Sequence, residues 1–297
     1  MNPTVHHLDV DTLRDWPLPI PADDEDKEAR GRALVIAGCP ETPGAAILAA
    51  HAALRAGVGK LTLVTVASVA SGIALAVPEA RVIAMPDDMA AWPASPRMAA
   101  VTDLARRAQG VLIGPGMTEG EATLDVVDAL LPHCREAGVV LDAAAMAVVV
   151  RRPVSQPVLL TPHAGEMAHL TGVSKAALRA APDASARAAA ARWGAVVALK
   201  GARTLIATPE GEAWAHQGGN IGLAVSGSGD TVSGLMAGLL ARGASLVQAA
   251  AWAVFLHASA GDQLARRWGL LGYLAREIPD EVPGLMAQFM PPSDTAH

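Results

Sequence analysis

The chain has 297 residues, of which 52% are hydrophobic and 18% charged, so it can bury a large core. Aromatic residues make up 3%, and the core must therefore be mainly aliphatic. A net charge of −6, without a basic cluster, argues against nucleic acid as a partner. The two cysteines have no metal-like spacing, and the first residues lack the basic and apolar segments of a signal peptide, so we expect a cytoplasmic protein.

The order of segments predicts one domain at residues 31–290, between an N-terminal arm at residues 1–30 and a tail at residues 291–297. The arm contains a charged run at residues 23–28, which is typical of solvated chain. The longest uncharged run, residues 243–261, includes Gln, Trp and His among many alanines. We therefore expect a buried helix there rather than a membrane span, and no membrane partner.

Short apolar strands alternate with helices along the body of the chain. The predicted strands lie at residues 33–37, 61–66, 82–85, 111–113, 139–142, 158–161 and 196–200. The predicted helices between them lie at residues 45–56, 121–135, 165–170 and 184–193. This alternation predicts an α/β fold whose mostly parallel sheet is covered by helices on both faces. Residues 204–207 and 213–216 flank a Pro-Glu-Gly turn and predict an antiparallel hairpin appended to that sheet.

Two glycine-rich stretches were tested against known nucleotide motifs. Gly57-Val58-Gly59-Lys60-Leu61 lacks the Ser or Thr of a P-loop and precedes a strand where a P-loop would follow one. Gly114-Pro115-Gly116 follows a strand, but the next glycine, Gly120, comes one residue too late for the dinucleotide fingerprint. The first stretch therefore does not predict a P-loop, and the second does not predict a Rossmann dinucleotide-binding fold.

The stretch Ser226-Gly227-Ser228-Gly229-Asp230 opens a helix whose apolar residues follow at i, i+3, i+4, i+7 and i+8 spacing. The free N–H groups of a first helical turn suit a phosphate group. Asp230 is then either the general base of a phosphoryl transfer or a carboxylate that caps the helix. The stretch alone leaves both interpretations open.

Polar residues also follow several strands at the predicted carboxyl edge, where ligands bind in such sheets. His163 and Glu166 come after strand 158–161; each is either structural or part of a site, and Glu166 could hold Mg²⁺. Lys200 ends strand 196–200 and suits a nucleotide phosphate, although a solvated lysine in a turn is the simpler interpretation. Asp142 is a further carboxylate at this edge, whereas His257 reads as a core histidine.

Together these stretches resemble the ADP/ATP-dependent NAD(P)H-hydrate dehydratases, a branch of the ribokinase-like superfamily. The residues that carry the resemblance are Gly44-Ala45, Gly114-Pro115-Gly116, Thr161-Pro162-His163 with Gly165-Glu166, Lys200-Gly201-Ala202 with Thr204, and Gly227-Ser228-Gly229-Asp230. Their order and approximate spacing match the family over about residues 30–285. The resemblance implies a ribokinase-like three-layer sandwich.

It also implies a repair enzyme that restores NADH or NADPH after water has added to the nicotinamide ring. In this family ADP or ATP, with Mg²⁺, activates the added hydroxyl as a phosphate ester, which then eliminates. By this resemblance Asp230 is the general base and Glu166 lies near the Mg²⁺ ion. The residues expected to contact the hydrated dinucleotide are Ala45, Gly116, His163 and Asp230. The residues expected to hold the adenine nucleotide are Lys200, Gly201, Ala202, Arg203, Thr204 and Gly229.

The chain departs from the family at two positions that bear on the site. Pro43 stands where the family usually has Tyr, and Ala144 replaces the second Asp of a common Asp-Ala-Asp. The first thirty residues are too few for the epimerase domain of many relatives, so we expect no epimerase activity. The family also implies a homo-oligomer, commonly a homotetramer. Two alternatives stay open: a small-molecule kinase for a vitamin-type alcohol, and an inactive nucleotide-binding protein.

Overall fold

The computed structural model describes residues 4–20 and 30–289, and ten strands of this part of the chain form one sheet. The strands are β1 (His6–His7), β2 (Arg32–Ile36), β3 (Lys60–Val66), β4 (Ala80–Met85), β5 (Gly110–Ile113), β6 (Gly138–Leu141), β7 (Val158–Leu160), β8 (Val196–Leu199), β9 (Arg203–Ala207) and β10 (Ala213–Gln217). Their order across the sheet is β1-β10-β9-β8-β7-β6-β5-β2-β3-β4, and β9 is antiparallel to both of its neighbours. The parallel sheet and the appended hairpin are confirmed.

Helices cover both faces of this sheet. They are α1 (Val10–Arg14), α2 (Pro43–Arg55), α3 (Ala67–Ala76), α4 (Met98–Arg107), α5 (Glu121–Leu130), α6 (Val148–Arg151), α7 (Ala164–Thr171), α8 (Lys175–Ala180), α9 (Pro182–Trp193), α10 (Ser228–Ala241), α11 (Leu246–Trp268) and α12 (Ile278–Ala287). Successive strand residues point to opposite faces. In β2, Ala33 and Val35 belong to the apolar cluster that includes buried residues of α2, α10 and α11, whereas Leu34 and Ile36 belong to the cluster that includes buried residues of α4 and α5. The predicted three-layer sandwich is therefore confirmed.

The predicted strands end within two residues of the observed ones, but the helices differ more. The helix predicted at residues 121–135 ends at Leu130, and a 3-10 turn follows at Leu131–His133. Pro132 explains this end, because it has no N–H with which to continue the α-helical hydrogen bonds. The predicted elements did not include strand β1 or helices α1, α3, α4, α6, α8 and α12.

The described part of the predicted N-terminal arm packs against the domain. Strand β1 pairs in parallel with β10, and Leu8 and Leu13 are buried. The backbone carbonyl of Trp16 accepts a hydrogen bond from Trp252 of α11. The charged run at residues 23–28 and the tail at residues 291–297 lie outside the described residues.

The long uncharged run predicted to be a buried helix forms most of α11. Its polar side chains have partners: Gln248 donates to the carbonyl of Pro17 at 2.8 Å, and the indole N–H of Trp252 donates to Trp16 at the same distance. Among the described residues, the structure contains no helix with the length and apolarity that crossing a membrane requires.

Helices α2 and α10 approach each other backbone to backbone. A Cβ atom at Gly234 would lie 2.3 Å from the carbonyl oxygen of Ala49, and one at Gly238 would lie 2.6 Å from that of Ala53. These distances are too short for a real side chain, so glycine is required at both positions. Since α2 and α10 both begin at the carboxyl edge of the sheet, this contact sets the separation of their N-termini.

We predict that Gly234→Ala destabilises the protein by about 1–3 kcal/mol, the usual cost of overpacking a filled core. Gly72→Ala in α3 is the control, because its Cβ would meet no atom within 4 Å. The control should stabilise by about 0.5–1 kcal/mol, since alanine favours a helix over glycine. Urea unfolding measures the change in the free energy of unfolding for each variant. If Gly234→Ala were as stable as the wild type, the close contact between α2 and α10 would be contradicted.

Candidate active site

The predicted site residues lie where five parallel strands end. Strands β2, β5, β6, β7 and β8 run in the same direction, so the loops after them meet at one edge of the sheet. The N-terminus of α10 belongs to the same region, because a Cβ atom at Gly229 would lie 3.4 Å from the Lys200 Nζ after β8. This edge therefore gathers candidate groups from distant parts of the sequence.

The loops after β2 and β5 are in contact at Ala45 and Gly116. A Cβ atom at Gly116 would lie 2.7 Å from the Cβ of Ala45, and the φ of Gly116 is 64°. The hydroxyl of Thr42 donates to the Gly116 carbonyl at 2.8 Å. Two of the four residues that were predicted to contact the dinucleotide thus lie together, and their small size leaves the backbone accessible to a ligand.

His163 and Glu166 form the N-terminal cap of α7. The Nδ1 atom of His163 accepts from the N–H groups of Gly165 at 2.9 Å and Glu166 at 3.1 Å, so Nδ1 carries no proton. The Glu166 carboxylate in turn accepts from the His163 N–H at 2.8 Å, which completes a capping box. The cap fixes the imidazole ring, while 59% of the His163 side chain is exposed. Its Nε2 lies 3.7 Å from a Glu166 carboxylate oxygen, on a ring that is exposed enough to meet a ligand as well.

Lys200 links three of the strand ends. Its ammonium lies 3.3 Å from an Asp142 carboxylate oxygen, and that same oxygen accepts from the Thr161 hydroxyl at 2.7 Å. The Lys200 backbone N–H donates to the carbonyl of Pro162. Asp142 is almost fully buried, so its charge has little access to water and depends on these two donors. Lys200 is thus a fixed cation at the edge.

Asp230 lies in the first turn of α10 beside this cation. Burial raises the pKa of Asp230 to about 6, the nearby Asp142 and Glu166 carboxylates add to the rise, and Lys200 opposes it. The N–H of Ser228 bonds to Val225, and that of Thr231 bonds to Gly227. Within the described residues, the amides of Gly229 and Asp230 between them have no hydrogen-bond acceptor. A carboxylate with a raised pKa thus stands beside two free N–H donors.

The predicted nucleotide loop after β8 is a tight turn. The hydroxyl of Thr204 donates to the Gly201 carbonyl at 3.2 Å, and the Gly201 N–H lies 3.3 Å from the same hydroxyl oxygen. The guanidinium of Arg203 points to α9, where it makes a forked contact with Asp183 at 2.6 and 3.4 Å. Thr204 therefore closes this turn on Gly201, whereas Arg203 is engaged in an ion pair.

The donor set around Glu166 fits a Mg²⁺ ion that is held mainly by a nucleotide. Among the described residues no group of three or more His, Cys, Asp or Glu side chains is arranged to hold a metal ion. One Glu166 oxygen caps α7, and the other has no hydrogen bond in the described chain. Magnesium commonly takes one or two carboxylates and completes its shell with phosphate oxygens and water. Glu166 can supply one such ligand.

Two contacts of this site have no counterpart among the sequence predictions. Thr161 ends a predicted strand, and in the structure its hydroxyl helps to hold Asp142. His257 lies in the predicted buried helix, and its Nε2 is 2.9 Å from the hydroxyl of Ser228 in the first turn of α10. No local motif marks either contact, because each joins elements that are far apart in sequence.

The sheet is covered by helices on both faces, and the N-terminus of α10 lies at its carboxyl edge. These features define an α/β protein of the ribokinase-like class. A ribokinase-like superfamily protein from Enterococcus faecalis V583 has the same fold, with a TM-score of 0.85 and 26% identity over 97% of each chain. Within this class, a family model described as NAD(P)H-hydrate dehydratase matches residues 33–284, and the chain belongs to that family.

Two further comparisons agree with this family. The chain is 47% identical over 285 residues to the ADP-dependent (S)-NAD(P)H-hydrate dehydratase of Xanthomonas campestris pv. campestris, which covers 96% of this chain and 97% of that relative. It is also similar to the crystal structure of the ADP/ATP-dependent NAD(P)H-hydrate dehydratase from Bacillus subtilis, co-crystallized with ATP/Mg²⁺. The TM-score is 0.84 at 31% identity, over 98% of this chain and all of that one. The predicted family resemblance is confirmed.

We predict that Asp230→Asn stabilises the protein, and more so at high pH. The folded-state pKa is raised from 3.8 to about 6, so the wild type loses stability as the pH rises through this window, and the neutral asparagine does not. The gain in unfolding free energy should be about 1 kcal/mol larger at pH 8 than at pH 5. Urea unfolding at the two pH values measures this difference.

The control is the exposed Asp11, which lies beside Arg14 in α1. Asp11→Asn should change the free energy of unfolding little at either pH. An Asp230→Asn gain that is equal at pH 5 and pH 8 would show that burial of Asp230 carries no ionisation cost.

Proposed function

We propose that this protein dehydrates hydrated NADH or NADPH with ADP or ATP as phosphoryl donor, and that Asp230 is the general base. The observation that carries the proposal is the partly buried Asp230 carboxyl near the Lys200 ammonium and the free amides of Gly229 and Asp230. The names of the Xanthomonas and Bacillus relatives support the substrate and the nucleotide.

The environment of Asp230 suits proton abstraction from a hydroxyl. With a pKa of about 6 the carboxyl is ionised at pH 7, yet it is a stronger base than an ordinary aspartate. A positioned base of this kind contributes about 10²–10⁴-fold to the rate. Asp230 would take the proton from the hydroxyl of the hydrated nicotinamide as that oxygen attacks the terminal phosphorus of the nucleotide.

The Lys200 ammonium and the two free amides would bind the phosphoryl group in transfer. They are held in place before the reaction, Lys200 by Asp142 and the amides by the first turn of α10. Such preorganised donors stabilise charge that develops in the transition state. The hydroxyl then leaves as phosphate, together with a ring proton, and the reduced nicotinamide is restored.

The remaining site residues divide into two groups in this proposal. Ala45 and Gly116 would form a surface with little side-chain bulk for the dinucleotide, and the exposed ring of His163 would add a polar contact. The turn from Lys200 to Thr204, with Gly229, would hold the nucleotide. We assign Arg203 to the positioning of this turn through Asp183 rather than to direct phosphate contact.

The bound Mg²⁺ would neutralise phosphate charge, and Glu166 is the residue of this chain that would contribute a ligand. The capping box already fixes the Glu166 carboxylate at the sheet edge, so its binding would need little reorganisation. A cytoplasmic location and a homotetramer stay predictions.

The direct test is turnover of hydrated NADH and of hydrated NADPH, each with ATP or ADP and Mg²⁺. We expect recovery of the reduced nicotinamide absorbance together with free phosphate. Asp230→Asn should bind nucleotide but lose about 10²-fold or more in kcat. The acid limb of the wild-type kcat/KM profile should fall below a pH of about 6, because protonated Asp230 cannot act as a base.

A stable phosphorylated product, without recovered absorbance, would support a kinase instead. Full activity of Asp230→Asn would remove Asp230 from the mechanism while leaving the dehydratase assignment in place.

We predict that the capping and ligand roles of His163 can be separated. In His163→Asn the side-chain oxygen can still cap α7, whereas in His163→Ala the cap is lost at a cost of about 1 kcal/mol. Both variants lack the exposed Nε2, so both should show a higher KM for the hydrated dinucleotide, with ADP affinity by calorimetry close to wild type. A normal KM in His163→Asn would make His163 a purely structural residue.

A further inference from the structure

We infer that Asn220 is a positioning residue for the N-terminus of α10, which it holds in place through hydrogen bonds to α11 and to the chain after α11. This inference rests on the proposed function, in which the free amides of Gly229 and Asp230 bind the phosphoryl group in transfer. It assigns a role to a residue that belongs to neither the predicted dinucleotide group nor the predicted nucleotide group.

The side-chain amide of Asn220 joins three parts of the chain. Its Oδ1 accepts from the backbone N–H of Gly222 at 2.9 Å and thereby caps the 3-10 turn Ile221–Leu223. The same oxygen accepts from the Tyr273 phenol at 2.9 Å, and the Nδ2 donates to the Asp262 carboxylate of α11 at 3.0 Å. Because the oxygen meets two donors and the nitrogen meets an acceptor, the network fixes the orientation of the amide.

Tyr273 acts as a donor in this network at neutral pH. Burial raises the pKa of its phenol, and the bond to Asn220 opposes this rise. The ring is almost fully buried and lies so close to Gly222 that a Cβ atom there would be 2.5 Å from Cε1. A buried hydroxyl without an acceptor is unfavourable, so Tyr273 favours the observed orientation of Asn220.

Two further contacts hold residues 220–228 against α11. A Cβ atom at Gly261 of α11 would lie 2.6 Å from the Cδ2 of Leu223, so the leucine fits against the backbone of the helix. At the other end of this segment, the Ser228 hydroxyl lies 2.9 Å from the Nε2 of His257, also in α11. The segment therefore follows α11 up to the first residue of α10.

The chain after α11 supports the same segment from another side. A Cβ atom at Gly227, the N-cap of α10, would lie 3.3 Å from the Cβ of Ala275. The hydroxyl of Thr231 lies 3.4 Å from the Ala275 carbonyl oxygen. Ala275 comes two residues after Tyr273, so the stretch that fixes Asn220 also contacts the first turn of α10. A displacement of Asn220 is thus transmitted to the turn that carries the two free amides.

An exchange of carboxylate and amide between positions 220 and 262 tests this role. Asn220→Asp keeps an acceptor for Gly222 and Tyr273, but it sets a second carboxylate against Asp262, and the like charges repel. It should lower kcat about 10-fold and raise the KM for ADP, because the donors of the transferred group are misplaced. The KM for the hydrated dinucleotide should change little.

Asp262→Asn alone keeps an acceptor for the Asn220 amide and should change kcat by at most about 3-fold. In the double variant the new amide at position 262 donates to the new carboxylate at position 220. The hydrogen bond is restored with its direction reversed, and kcat should return to within about 3-fold of the wild type.

This recovery separates positioning from direct contact with the nucleotide. If the Nδ2 of Asn220 bound the nucleotide itself, the double variant would still lack that donor and would stay as slow as Asn220→Asp. Such a result would overturn the inference, as would a wild-type kcat in Asn220→Asp.

The control is Gln248→Leu, which removes another polar side chain of α11 whose amide donates to Pro17. It should lower the free energy of unfolding without changing kcat. A loss of kcat in Gln248→Leu that matches the loss in Asn220→Asp at equal destabilisation would leave Asn220 with a purely structural role and overturn the inference.

Calorimetry of ADP with Mg²⁺ on the same variants separates this test from that of the proposed function. If the wild type does not dehydrate hydrated NADH, the proposed function fails, and ADP affinity still decides the role of Asn220. We then expect weaker binding in Asn220→Asp and recovery in the double variant. No recovery of affinity would overturn the inference.

Discussion

The ion pair between Lys200 and Asp142 is the interaction on which the electrostatics of this site depend. It joins the ends of β6 and β8 across the intervening β7, and the carboxylate is nearly inaccessible to water. Removing one partner of a buried pair typically costs about 3–5 kcal/mol, because the other charge is left unpaired. Burial raises the pKa of Asp230 and lowers that of His257. The same ammonium opposes the first shift and adds to the second, so one cation influences a base in α10 and a neutral ring in α11.

The site also contains a group that reduces the stability of the folded chain. The carboxyl of Asp230 is ionised in a partly buried position, which is unfavourable for folding. Two backbone amides at the N-terminus of α10 have no acceptor in the described chain, so the site offers the base and the empty donors that a phosphoryl transfer needs. The close contact of Gly234 with α2 supplies rigid packing behind the mouth, so that the unpaired groups stay oriented. The packing that stabilises α10 thus lies one or two helical turns away from the residues that would carry out the reaction.

Local patterns in the sequence were sufficient to predict strands β2 to β8, the hairpin and the polar residues that follow the strand ends. Apolar runs identify β2 to β8, because both faces of a parallel sheet are covered and each strand is continuously apolar. Contacts between distant segments could not be predicted in this way. The ion pair of Arg203 with Asp183 redirects a residue that the family resemblance assigned to the nucleotide, and the bond between Ser228 and His257 joins residues 29 positions apart. Such contacts follow from how helices pack on the sheet, and no pattern of neighbouring residues records that packing.

The replacement of a family aspartate by Ala144 does not remove the carboxylate that the site uses. Asp142 alone pairs with Lys200, and Thr161 holds the same oxygen. The backbone after it is fixed by an unusual conformation, since Ala143 has a φ of 48°, which costs an alanine about 1 kcal/mol. Gly114 packs against this turn so closely that a Cβ there would lie 1.8 Å from the Asp142 carbonyl oxygen. The strained turn and the glycine together hold Asp142 against Lys200, so the partly buried cation and its effect on Asp230 do not need a second acid at position 144.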